Sequence, residues 1–193
     1  MASVVPKVFD HTIAILMHVR NQLDRAVFAQ ASQAMSLAKR IEFFGIGNSG
    51  IVATDAQHKF FRFGIATAAY SDPHVQAMAA SVLGQGDWVV AISASGSTRD
   101  LLNNTRIAQQ SGAQVLAITA SGSQLARQAD LSLTLDLTED LEQYMPMGSR
   151  MAQLAILDAL AVSVALQGGE AVQKNLRRVK STLKEMRNPE NLG

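Results

Sequence analysis

The spacing of apolar positions changes character along this 193-residue chain. In the first forty residues it follows three- and four-residue steps. Phe9, Ile13, Leu16, Met17, Val19 and Leu23 form one face, and Val27, Ala31, Ala34, Met35 and Ala38 a second. That spacing predicts amphipathic helices. From residue 40 onward, short apolar runs take over at 41–46, 65–70, 88–92, 115–118 and 131–135. Helical segments lie between most of them, near 49–62, 74–83, 99–111 and 124–129. Five apolar runs interleaved with helices predict an α/β fold whose parallel sheet is covered on both faces. The right-handed crossover rule then favours a doubly wound five-stranded sheet. In the last run Leu133 and Leu135 alternate with Ser132 and Thr134, which predicts an edge strand.

After the sheet, Met151, Leu154, Ala155, Leu157, Ala161, Val162 and Ala165 predict a largely apolar helix that Gly168-Gly169 ends. Leu176, Val179, Leu183 and Met186 then give a narrow seam, the kind that packs on a partner. Residues 1–39 are therefore expected to be flanking N-terminal helices and 40–193 the sheet domain with its C-terminal helices. No linker, low-complexity tract or internal repeat interrupts this single domain.

The length suffices for one domain with a full core. A formal net charge of +1 supplies no overall basic field for nucleic acid. Without cysteine there is neither a disulfide framework nor a thiolate metal site, which fits a reducing cytoplasm. Met1-Ala2-Ser3-Val4-Val5-Pro6 lacks the regions of a signal peptide. No apolar run reaches the ~18 to 20 residues a membrane helix needs. A soluble, cytoplasmic protein with no metal and no cofactor is expected.

The chemistry concentrates where strands hand over to helices. Ser93-Ala94-Ser95-Gly96-Ser97-Thr98 follows the third run and precedes a helix. Such a turn aims free N–H groups and a helix dipole at one spot, and hydroxyls there suit a phosphate. The loop has no lysine and no Walker spacing, so it does not fit a nucleoside triphosphate. After the first run, Gly45, Gly47 and Gly50 satisfy G-x-G-x-x-G, and Asp72 stands where a ribose-binding acid would sit. That is a dinucleotide fingerprint by pattern. Ser49 within it, and a second hydroxyl-rich loop converging on the same crevice, favour a compact monophosphate instead. The plainer alternative is two tight turns with Ser/Thr helix caps.

Gly45-x-Gly47-x-Ser49 and Ile92-Ser93-x-Ser95-Gly96-x-Thr98 resemble the sugar isomerase (SIS) domain, a phosphosugar-binding module, over residues 40–165. The segment Asp55 to Phe63 resembles the corresponding helix in the RpiR family of bacterial transcription regulators. Glu139-Asp140, Tyr144-Met145-Pro146-Met147 and Ser149-Arg150, with Leu176 to Lys180, resemble its HexR-type members. The resemblance implies a flavodoxin-like SIS domain, a homodimer or tetramer, and control of hexose catabolism. It implies 2-keto-3-deoxy-6-phosphogluconate as an effector that releases DNA. DNA would be held only through a helix-turn-helix domain, which this chain lacks. By resemblance Ser49 and Ser93 are the principal contacts. Gly47 and Asn48 share the first loop, and Ser95, Gly96, Ser97 and Thr98 complete the seat. Relatives often carry Arg at position 97, where this chain has Ser.

Other residues divide between ligand and surface roles. Lys59 and Arg62 are weaker candidates for a sugar-acid carboxylate, against an ordinary salt-bridged face. Glu139 is a weaker candidate for sugar hydroxyls, against a surface turn. His74 is set against a helix-start role. The stretch after it, Val75 to Ala80, has no Glu to act as general base, which disfavours the alternative of a phosphosugar aldose–ketose isomerase. The basic face of the terminal helix, Lys174 to Arg187, fits a solvated surface.

Overall fold

The computed structural model describes residues 4–137 and 147–187. Two helices come first, α1 (Val4–Gln22) and α2 (Arg25–Leu37), the second capped by Asp24, whose carboxylate accepts from the Ala26 and Val27 amides. Five strands follow: β1 (Arg40–Gly45), β2 (Ala66–Tyr70), β3 (Asp87–Ser93), β4 (Gln114–Thr119) and β5 (Leu131–Thr134). Between them lie α3 (Asn48–Phe60), α4 (Pro73–Ser81), α5 (Arg99–Gln110) and α6 (Gln124–Gln128); α7 (Met147–Gln167) and α8 (Gly169–Met186) come last. The sheet is all parallel in the order β2-β1-β3-β4-β5. This is the expected doubly wound sheet, with β5 at an edge as its alternating pattern predicts. The chain winds outward in both directions from β1 and β3, so the switch point lies between them.

Alternate residues of each strand face opposite layers. Ile41, Phe43, Val90, Ile92, Leu116 and Ile118 pack against residues of α1, α2, α3 and α7. Phe44, Val89, Ala91, Val115 and Ala117 pack against residues of α4, α5 and α6. Burial on both faces is why these strands appear as nearly unbroken apolar runs. Phe43 and Phe60, 5.3 Å between ring centroids, join β1 to α3.

One expectation is corrected. Gly148–Gln167 has the length of a membrane span and a mean hydropathy of 1.4. Scattered Ser, Gln and Asp break the run without lowering the average far. Ala152, Ile156, Leu157, Leu160 and Val164 of this helix lie in the core beneath α1, α2 and α3. Gly168-Gly169 ends α7 as expected, and Gly169 (φ 56°) starts α8 at once. On α8 the expected seam is split: Leu176 packs on the core beside the buried Val172, whereas Leu183 and Met186 are exposed.

Candidate functional site

Three glycines shape the turn after β1. At Gly45 a Cβ would strike the backbone carbonyl of Ser49, so only glycine lets the first turn of α3 fold over the strand end. Gly47 has φ 61°, a conformation that favours glycine. A Cβ on Gly50 would come within 2.8 Å of Ser71 Cβ, beside the end of β2. The motif is thus a device for close helix–strand packing, whatever it binds. Asp72, the acid of the dinucleotide reading, accepts on Oδ1 from the His74 and Val75 amides at 2.8 and 2.9 Å and caps α4. Gln76, fully buried, locks this corner: its Nε2 donates to the carbonyls of Gly45 and Tyr70 at 3.2 and 2.8 Å, and its Oε1 accepts from Asn104.

The second loop is built around Ser93 and Gly96. Ser93 is buried at the end of β3, and its Oγ accepts from the Gly96 amide at 3.1 Å. Gly96 has φ 61°, and a Cβ there would run into the Ser123 and Thr119 hydroxyls. Its carbonyl accepts from the Leu125 amide at 3.0 Å, which pins the loop to α6. The Ser97 hydroxyl donates to Ser95 Oγ at 3.0 Å. Thr98 is the N-cap of α5, yet its side chain makes no cap hydrogen bond. The start of α5 therefore keeps N–H groups for an external acceptor, and the dipole favours an anion there.

Ser49, Ser93, Ser95 and Thr98 come together on a cleft of about 640 Å³ at the carboxyl ends of the strands. Ile46, Ile92 and Leu101 form apolar wall, and Leu135 and Leu137 close another side. Gly47, Asn48, Gly96 and Ser97 set the two turns but are not among the residues lining it. Lys59 and Arg62 are not among them either. Lys59 lies ten residues along the chain from Ser49, about 15 Å of helix rise. Its ammonium is held by Asp55, at 2.5 Å, and by Asp158 of α7. Burial alone lowers its pKa, but hydrogen bonds to Asp158 and Asp55 outweigh that and leave it above the ordinary value. Arg62 meets His58 Nδ1 at 3.0 Å and lies over the Phe61 ring. His74 is exposed in the first turn of α4, away from the cleft lining. Glu139, with Asp140, Tyr144, Met145 and Pro146, lies outside the described residues.

Four polar residues line the cleft without having been singled out as site candidates: His18, Gln22, Asp136 and Ser149. His18 and Gln22, four apart on α1, share a face and project over the cleft mouth. Asp136 follows β5, at the carboxyl end where crevices form, and that position was the available signal. His18 Nε2 donates to the Asp136 carbonyl at 3.0 Å. Asp136 Oδ1 accepts from the Ser121 amide at 2.8 Å. Hydrogen bonds from the Ser121 hydroxyl and amide hold its carboxyl below the usual range, and His18 adds to this. The cleft thus offers hydroxyl and amide donors at one end and a His–Asp corner at the other. Among the described residues no Lys or Arg lines it.

Comparison with known proteins matches residues 34–163 to the SIS domain. The HTH-type transcriptional regulator HexR of Pseudomonas aeruginosa is 46% identical over 183 residues, 95% of this chain and 64% of that protein. HexR of Escherichia coli K12 is 43% identical over 181 residues, 94% of this chain and 63% of that protein. The chain therefore spans just under two thirds of these regulators. Among solved structures, Vibrio vulnificus NanR complexed with ManNAc-6P superposes with a TM-score of 0.87 at 22% identity, covering 95% of this chain and 70% of that one. Sequence motif, strand order and family match agree: this chain belongs to the SIS domain family.

Proposed function

We propose that this chain is the phosphosugar-sensing part of a transcription regulator of hexose catabolism. Its effector is 2-keto-3-deoxy-6-phosphogluconate, and binding releases DNA from a helix-turn-helix domain of the regulator. The observation that carries the proposal is the convergence of Ser49, Ser93, Ser95 and Thr98 on one cleft at the uncapped start of α5. The phosphate sits against these hydroxyls and amides, which suit its three acceptor oxygens and need no lysine. The sugar acid extends toward α1. The regulators to which the chain is 43–46% identical support the sensing role.

The cleft senses rather than catalyses, and the regulator works in the cytoplasm. It works as a self-associated dimer or tetramer. Support for self-association comes from α1, where Val5, Phe9 and Ile13 recur every four residues and are 65%, 65% and 53% exposed. A thermal-shift titration tests the effector: ligand at about 100 times its dissociation constant stabilises by about 2.7 kcal/mol. Absence of any shift at millimolar effector, in folded protein, would overturn the assignment. Incubation of candidate sugar phosphates in heavy water tests the isomerase alternative, which requires exchange at a sugar carbon.

A further inference from the structure

The α1 end of the cleft has chemistry that the phosphate seat does not use. The Asp136 carbonyl can only accept, so its bond with His18 fixes a proton on Nε2 whenever the imidazole is neutral. Nδ1 makes no hydrogen bond to the described residues. With no Lys or Arg lining the cleft among the described residues, His18 is the lining group able to take up a positive charge there. A ligand that carries only a phosphate is served by the donors at the α5 end. A ligand that also carries a carboxylate brings a second negative charge, and His18 is the group that can meet it.

We infer that His18 forms a carboxylate subsite, taking a proton from solvent as the ligand binds and pairing through Nδ1–H with the ligand's acid group. The inference rests on the phosphosugar reading of the cleft and adds the feature that separates sugar-acid phosphates from neutral sugar phosphates. The groups around the ring are acidic or neutral. The Asp136 carboxylate on the loop after β5 is ionised and attracts it. From α7 the facing residue is the neutral Ser149, and from α1 the neutral Gln22. Arg20, also on α1, directs its guanidinium to Asn21.

The experiment is calorimetric titration of the wild type and of His18→Gln at pH 7, in buffers of different ionisation enthalpy. Gln keeps an N–H donor in reach of the Asp136 carbonyl but cannot be charged. The probes are 2-keto-3-deoxy-6-phosphogluconate and, as a carboxylate-free control, fructose 6-phosphate. The phosphate's own ionisation near pH 6 affects both proteins alike and cancels in the comparison. The expected result is more protons taken up by the wild type than by His18→Gln with the sugar acid. The variant loses about tenfold or more in affinity for that ligand alone, the size of a lost charged hydrogen bond. His18→Asn, a second uncharged variant, shows the same loss of proton uptake. Equal proton counts and affinities in wild type and variants overturn the inference, as does an equal loss for both ligands. Failure of the wild type to bind either probe overturns the phosphosugar reading and the subsite with it.

Discussion

Ser93 Oγ accepts the backbone N–H of Gly96 at 3.1 Å, in a buried setting, and the same side chain lines the cleft. A hydroxyl can accept from Gly96 and still donate its own proton to a ligand. Ser93→Ala is therefore expected to act twice. Leaving the Gly96 amide unpaired lowers stability by about 1–3 kcal/mol, and the lost donor weakens effector binding. Urea unfolding of the free protein, followed by titration of the folded variant, separates the two effects.

Ser49→Ala serves as the contrast. Ser49 lies in the first turn of α3 and lines the cleft. Its loss is expected to weaken binding by roughly 1.5–3 kcal/mol, the worth of a hydrogen bond to a charged group. The melting temperature of the free protein should stay within a degree or two of wild type. Unchanged affinity would remove Ser49 from the seat.

Gly96→Ala tests the shape of the loop. The residue must leave a positive φ or bear its strain, about 1–2 kcal/mol, and its methyl group meets the Ser123 and Thr119 hydroxyls. A lowered denaturation midpoint together with lost binding is expected. Wild-type stability would show that the loop can rearrange freely.

Glu42 predicts a pH effect of definite sign. It is buried in β1, Oε2 has no hydrogen-bond partner, and Arg40 comes only to 3.8 Å of Oε1. Burial pushes its pKa up, Arg40 pulls it down and Asp87 adds to the rise. An acid whose pKa rises on folding stabilises the protein below the unfolded value, about 4.3, and that contribution is lost as pH rises through the folded value. Glu42→Gln is thus expected to raise the melting temperature at pH 7–8. Near pH 4 the advantage should disappear, which thermal scans across pH will show.

Lys59 is expected to matter for stability and not for ligand. Lys59→Met breaks the link from Asp55 to Asp158 and should lower the melting temperature while leaving effector affinity intact. The pKa of Lys59 is raised on folding. Its contribution is therefore complete below the unfolded value, about 10.4, and is lost as pH rises through the folded one. Wild type and variant should converge in stability under strongly alkaline conditions.

The sheet was legible because each strand is buried on both faces and so appears as an apolar run between polar turns. The phosphate seat was legible because its hydroxyls lie at strand ends, where a doubly wound sheet opens its crevice. The opposite wall was harder. His18 is an ordinary polar residue on an amphipathic helix, and only the docking of α1 against α7 carries it to the cleft. Lys59 and Arg62 show the reverse difficulty. Lys59 lies near the end of the helix whose first turn holds Ser49, and Arg62 just beyond it, so helical rise carries both away from the cleft, Lys59 to Asp158 of α7. Asp72 follows the dinucleotide pattern in sequence, while its side chain is occupied in starting α4.

Helix α1 carries His18 and Gln22 at the cleft and the exposed Val5, Phe9 and Ile13 nearer its start. Phe9 and His18 are separated by about 13 Å of helix rise. The helix between them is a continuous hydrogen-bonded rod, so its two ends cannot tilt independently. Whatever settles against Phe9 and whatever fills the cleft therefore pull on opposite ends of one lever. A small rotation imposed at one end appears as a displacement at the other.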